Sequence, residues 1–264
     1  MTGSPEPSRK HLEESTADPI PIGHDEVVFE HVPGLAAFVA LTRDTLWVLD
    51  VWIAGSVASG DFHQGVSDVD LVAMTAGRLD ARQQQQVIDW HRNIDDGPAH
   101  GSNLGCVYVA EDDLDDLPAR WPTWSHAQFF QRPLSLMTRA ELIAVGTSLS
   151  GRTPATVLPP VAVTDAVRAE LNGYWTYARR RPWLYASSTF CDLALISMAR
   201  ARVSLRTGQL VTKAQALQDV HAPPELVEQM RQRRSGAVAR SPRPRHMWFA
   251  WADTVATTRD PHSG

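Results

Sequence analysis

The sequence predicts an α+β protein built in two parts, a mixed strand-and-helix unit followed by an all-helical one. Two observations predict it. Between about residues 33 and 110, apolar β-branched runs alternate with segments of helical spacing, the pattern of strands packed under helices. Beyond Gly151-Arg152-Thr153-Pro154 and the Pro159-Pro160 pair, which punctuate the chain as a linker does, the main periodic segments are helical. We therefore divide the chain into residues 1–23, 24–155 and 156–264. The first is a polar leader carrying Pro5, Pro7, Pro19 and Pro21, with little to bury and an expectation of disorder.

From Pro33 to Thr45, Leu35, Ala36, Phe38, Val39 and Leu41 recur at helical spacing, with proline at a tolerated early position. Leu46 to Ala54 is a nearly continuous apolar run stopped by Gly55-Ser56, which predicts a strand covered on both faces. Asp68 to Met74 alternates, Val69 and Leu71 on one face and Asp68 and Asp70 on the other. A glutamine-rich helix follows over Asp80 to Ile94 and a third strand over Leu104 to Ala110. In the second part, Asp165 to Arg180, Ser187 to Thr207, Lys213 to Val220 and Pro224 to Arg234 read as helices, with Gly208 placed as a C-terminal cap. Arg231 to Arg245 holds six arginines among glycine, serine and proline, expected to form a solvated, mobile connection before the amphipathic Met247-Trp248-Phe249-Ala250-Trp251.

Composition narrows the function. At 264 residues, 43% apolar and 21% charged, the chain is ordinary globular protein. A net charge of -5 argues against a dedicated nucleic-acid binder and leaves a small molecule as the expected partner. Cys106 and Cys191 lack disulfide or zinc spacing and read as buried thiols. No apolar run approaches the ~20 residues that cross a bilayer, and the first twenty residues are not signal-like. The expectation is a cytoplasmic protein without membrane contact, monomeric by default.

Chemistry concentrates at two places. Glycine after a strand lets the backbone approach phosphate oxygens, and Ser56 adds a hydroxyl, so Gly55 to Asp61 is a candidate phosphate loop. On its own such a turn is weak evidence. After eleven intervening residues Ser56 is followed by Asp68, and then by Asp70, which a strand points to the same side. Two converging carboxylates repel each other unless a cation sits between them, and magnesium is the hard, oxygen-seeking ion that also bridges phosphates. The pair is therefore a candidate metal site. Lysine is rare in this chain: Lys213 is the only one outside the leader, and it follows Thr212, a good cap residue.

The stretch from Ala54 to Val72, with Gly55, Ser56, Ser67, Asp68 and Asp70, resembles the motif of the DNA polymerase β-type nucleotidyltransferases, and more narrowly of the streptomycin/spectinomycin adenylyltransferases. Arg200 to Lys213 is similar to the helix, cap and lysine of that family's C-terminal helical domain. The resemblance implies a polymerase β-like nucleotidyltransferase domain with a mixed sheet, and a second domain closing over ATP. It implies that Gly55 and Ser56 hold the triphosphate, that Ser67 shapes the loop, that Asp68 and Asp70 bind Mg2+, and that Lys213 reaches the phosphates. The implied activity is transfer of AMP to a hydroxyl of an aminoglycoside or aminocyclitol, conferring resistance. Protein nucleotidylation of the toxin type, and nucleotide binding without catalysis, are the alternatives.

The resemblance also breaks. Such enzymes carry a third acid on the strand after the aspartate pair, and that position here is Gly105. Strand parity puts Glu111 on the Gly105 face, so Glu111 is the candidate base, with Asp112 and Asp113 beside it. A strand-to-helix boundary explains the same acids, and His91, His100 and His126 are weaker alternatives. Metal activation without a strong protein base is another route. For the acceptor, Trp175 and Trp183 are candidate stacking faces and Asp192 a candidate acid, with Asp165 and Glu170 as further acids; aromatic core packing is the plain alternative for the tryptophans.

Overall fold

The computed structural model describes residues 32–241 and 243–259. The expected leader, 1–23, lies outside them. In the first half the order is α1 (Leu35–Arg43), β1 (Val48–Ala54), α2 (Gly55–Ala58), β2 (Val69–Thr75), α3 (Ala81–Asp96), β3 (Leu104–Ala110), β4 (Trp121–Ser125), β5 (Gln128–Arg132), α4 (Leu136–Val145) and β6 (Thr147–Ser150). The strands form one mixed sheet in the order β5-β4-β3-β2-β1-β6. Only β2 and β3 run parallel among neighbours; the other pairs are antiparallel. α3 is the crossover that the parallel pair requires. A reciprocal capping box starts it: the Asp80 side chain accepts from the Gln83 N–H, and Gln83 accepts from the Asp80 N–H.

Both faces of the sheet are covered. On one, Val51, Ile53, Val69, Leu71 and Cys106 pack under Leu35 and Phe38 of α1 and Val87 and Ile94 of α3. On the other, Trp52, Ala54, Val72, Met74 and Val107 pack with Leu142 of α4, Leu134 and Leu158. Asp70 and Gly105 have the parity of this second face. The alternation expected for β2 therefore ends at Asp70, because everything after it is buried. Strands β4, β5 and β6 and helix α4 were not among the expected elements. Trp121–Ser125 contains Pro122, β5 is a largely exposed edge strand and β6 has four residues, so none offers a long apolar pattern.

The second half is helical. After α5 (Pro154–Val157) come α6 (Val163–Glu170), a π turn over Leu171–Trp175, α7 (Thr176–Arg179), α8 (Ser188–Thr207), α9 (Lys213–Ala216), α10 (Pro224–Arg234) and α11 (Arg243–Arg259). Their core gathers Val167, Leu171, Trp175, Leu195, Met198, Leu226, Met230 and Ala250. α8 starts on Ser187, whose hydroxyl accepts from the Phe190 N–H, and stops at Gly208 with φ +70°. The arginine-rich segment differs from expectation. Arg233 forks onto Asp192 at 2.6 and 2.8 Å and also donates to Ala239 O and Ser241 Oγ, while Arg234 reaches Asp61 at 2.8 Å. Arginine side chains thus staple α10 down rather than solvate it. No helix among the described residues is long and apolar enough to cross a membrane.

Candidate active site

Gly55 and Asp70 are in contact, although fourteen residues separate them. β1 and β2 pair with Ala54 opposite Asp70, so the glycine that ends β1 lies beside the carboxylate that begins β2. Gly55 has φ +63°, and a Cβ built there would sit 2.5 Å from Asp70 Oδ2. Both facts demand glycine. The loop between them is held by its own bonds: Ser56 Oγ donates to Asp68 O at 3.4 Å, Asp61 N to Ser56 O at 2.8 Å, and His63 N to Ser67 Oγ at 3.0 Å.

A cleft of about 470 Å³ opens at this end of the sheet, within the range of about 300–1,000 Å³ typical of small-molecule sites. Gly55, Ser56, Asp61 and Asp70 line one wall, Glu141 of α4 and Arg200 of α8 another, and Thr212, Lys213 and Gln215 a third. Lys213 is exposed at the start of α9, where a Thr212–Gln215 capping box sets the helix. Asp70 keeps solvent access, yet the protein around it disfavours its charge, and Asp68 and Glu141 add their repulsion, so its carboxyl is raised. Lys213 and Arg132 pull it back down by a smaller amount. A perturbed carboxyl facing a cleft marks a candidate functional site.

Several side chains here were not singled out from the sequence. Asp61, only 8% exposed, accepts from Arg234 Nη2 at 2.8 Å and from the Ala214 N–H at 3.2 Å, and thereby ties the loop to α9 and α10. Arg200 donates to Glu141 Oε1 at 2.7 Å and to Val211 O at 2.9 Å, joining α4, α8 and the approach to Lys213. Asp61 lay inside the glycine-serine stretch, a signal that was available. Glu141 had none, since nothing in the local sequence says which way α4 faces.

Other expected site residues are not brought to this cleft. Ala110 pairs with Thr75 at the far end of β3, about 16 Å along the strand from Gly105, and Glu111 follows it. There Glu111 binds Arg152 at 2.6 Å, which also forks onto buried Asp50. Trp175 is 2% exposed and donates its Nε1–H to Glu170; it lines only a side cavity of about 30 Å³ that shares Arg200 and Leu210 with the cleft. Trp183 is exposed on a short 3-10 turn and does not line the cleft. Asp192 is held between Arg233 and His246, whose Nε2 is 2.9 Å away.

No protein-family model and no curated protein matches the sequence. A solved structure does. The chain superposes on the spectinomycin adenyltransferase AAD(9) from Enterococcus faecialis, solved with ATP and spectinomycin, at a TM-score of 0.60. The match covers 83% of this chain and 99% of that one, with 11% identity. This chain has the adenyltransferase fold. A toxin–antitoxin structure with AMP-PNP overlaps at a TM-score of 0.28, with 16% identity over 44% of this chain and 73% of that one, too little to bear on the fold. Within the adenyltransferase fold, the cleft lies where the end of the sheet faces the helical half, and the glycine-serine loop, Asp70 and Lys213 all line it.

Proposed function

We propose that this protein is a magnesium-dependent nucleotidyltransferase that transfers AMP from ATP to a hydroxyl of a small polar acceptor, an aminoglycoside or aminocyclitol antibiotic. The observation that carries the reading is the contact of Gly55 with Asp70 at the base of a cleft that Lys213 also lines. The residues suit magnesium. Asp68 and Asp70 supply oxygen ligands, their mutual repulsion is what a divalent cation removes, and two protein carboxylates leave the remaining positions for phosphate and water. Asp68 and Asp70 would hold the ion, which supplies Lewis-acid stabilisation of charge on the phosphoryl oxygens.

The chain's own groups do the rest. Gly55 admits a phosphate close to the backbone, and Ser56 adds a hydroxyl donor. Lys213 brings a positive charge to the opposite wall, where the charge on a triphosphate is concentrated. Glu170, raised mainly by burial and further by Glu141 while Trp175 and Arg200 pull it down, lines the side cavity next to Arg200. Trp175, Trp183, Asp192 and Glu111 do not line the main cleft, although Trp175 lines the side cavity with Glu170. Cys106 and Cys191, both buried and free, fit a protein working in the reducing cytoplasm.

The test is direct. The protein is incubated with Mg-ATP and a panel containing spectinomycin and streptomycin, and the products are weighed by mass spectrometry. One added adenylyl group on a panel member is expected. Absence of an adduct on every member, together with adenylylation of a protein in lysate, would replace this reading with protein modification.

A further inference from the structure

Transfer to a hydroxyl requires that its proton be accepted as the new bond forms, and the position across the sheet from Asp70 has no side chain to do so. In the parallel β2–β3 ladder Gly105 is the register partner of Asp70 and shares its face. A Cβ at Gly105 would meet only Trp124 O at 3.4 Å and the Ser125 side chain at 3.5 Å, which are ordinary contacts. The backbone there tolerates a Cβ, and the position carries none.

The cleft-lining carboxylates are Asp61, Asp70 and Glu141. Asp61 is committed to Arg234 and the Ala214 N–H, with His63 Nε2 at 3.8 Å. Asp70 belongs to the metal pair. Glu141 remains. It projects from α4, the helix whose Leu142 covers the face on which Asp70 and Gly105 look out, and its charge is felt at Asp70. Its Oε1 is held by Arg200 at 2.7 Å, which fixes the rotamer, and the side chain is 19% exposed.

We infer that Glu141 is the proton acceptor for the attacking hydroxyl, supplying from α4 the acid that β3 lacks. The inference rests on the transferase reading above. In the step, the acceptor O–H proton passes to a Glu141 carboxylate oxygen and the acceptor oxygen forms a bond to the α-phosphorus. The bond from that phosphorus to the bridging oxygen breaks, and pyrophosphate leaves with the electron pair. Arg200, bonded to Oε1 at 2.7 Å, holds the carboxylate in one orientation.

The experiment compares wild type, E141Q, G105E and the G105E/E141Q double variant, using Mg-ATP with spectinomycin and streptomycin. Transfer rate and ATP affinity are read separately. The expected result is a loss of about 100-fold or more in kcat for E141Q with ATP affinity kept within a few-fold. The double variant should regain at least about tenfold, because a glutamate on β3 restores a base to the same face. A purely structural role for Glu141 would not be rescued from Gly105. Wild-type kcat in E141Q overturns the assignment. So does a parallel loss of ATP affinity and rate that G105E fails to restore, which would make Glu141 a positioning residue for Arg200. If wild type binds Mg-ATP and modifies no acceptor, the transferase reading falls, and this assignment with it.

Discussion

Asp70 and Asp192 are aspartates set into the two halves of the molecule, and their surroundings act on them in opposite directions. At Asp70 enclosure by protein raises the carboxyl, and the charges of Asp68 and Glu141 raise it further. At Asp192 burial also opposes ionisation, but His246 and Arg233 outweigh it and hold the carboxyl low. The second arrangement pairs Asp192 with the Arg233 guanidinium at 2.6 and 2.8 Å, and removing one leaves the other stranded. The first leaves Asp70 beside like charges and facing a cleft, the setting of the proposed metal site. Both were candidate site residues from sequence, and their partners separate them.

Substitution at Asp70 tests the contrast most strongly. Asp70→Asn should reduce adenylyl transfer by about a thousandfold or more, since it removes half of the proposed metal pair. The metal-free variant should melt no lower than wild type, because a repelled charge has gone. Transfer at the wild-type rate would break the comparison from the Asp70 side. Gly55→Ala comes next. A methyl 2.5 Å from Asp70 Oδ2, on a backbone at φ +63°, must displace the carboxylate or the loop. Misplacement of that order should lower kcat by about 100-fold, measured on the same acceptor.

Asp192→Asn should behave in the opposite way. It leaves Arg233 and buried His246 facing a neutral amide, and urea unfolding should show a loss of about 2–3 kcal/mol. ATP affinity and kcat of the folded variant should stay near wild type; a large loss of kcat at unchanged stability would return Asp192 to the site.

The smallest effect is in pH dependence, and the two aspartates have opposite signs. Asp192 is depressed in the folded protein, so its stabilisation is present above the ordinary aspartate value of about 3.9 and is lost as pH falls through the folded value. Asp70 is raised, so its contribution is present below about 3.9 and is lost as pH rises through its raised value. Magnesium takes the ionised form. The upward shift in melting temperature on adding magnesium should therefore grow as pH rises through the raised Asp70 value, and should be absent in Asp70→Asn. Thermal melts with and without magnesium, from roughly pH 4 to 8, check this around the reference value.

The parts of the site legible in the sequence are those whose geometry is local. Strand period gives Asp70 its face in β2, although Asp68 lies just before the strand; the end of an apolar run marks Gly55, and a threonine before Lys213 announces a helix start. The β1, β2 and β3 runs were legible for the same reason, each being an apolar stretch long enough to show. β4 and β6 were not, because Trp121–Ser125 and Thr147–Ser150 are held by neighbouring strands rather than by a pattern of their own.

Asp61 as a tether, Glu141 as a cleft acid and Arg233 as the partner of Asp192 are contacts between residues 41 to 173 positions apart. The sequence by itself pointed to Gly55, Ser56, Asp70 and Lys213, which line one cleft, because chain spacing of a few residues fixes direction in a strand or a helix. Tertiary structure decided the rest: that Glu111 sits at the far end of β3 bound to Arg152, that Trp175 is core, and that α4 brings Glu141 to the cleft that Asp70 also lines. Those outcomes depend on how sheet and helices pack, and packing is settled by the sum of apolar contacts across the fold rather than by any residue's immediate neighbours.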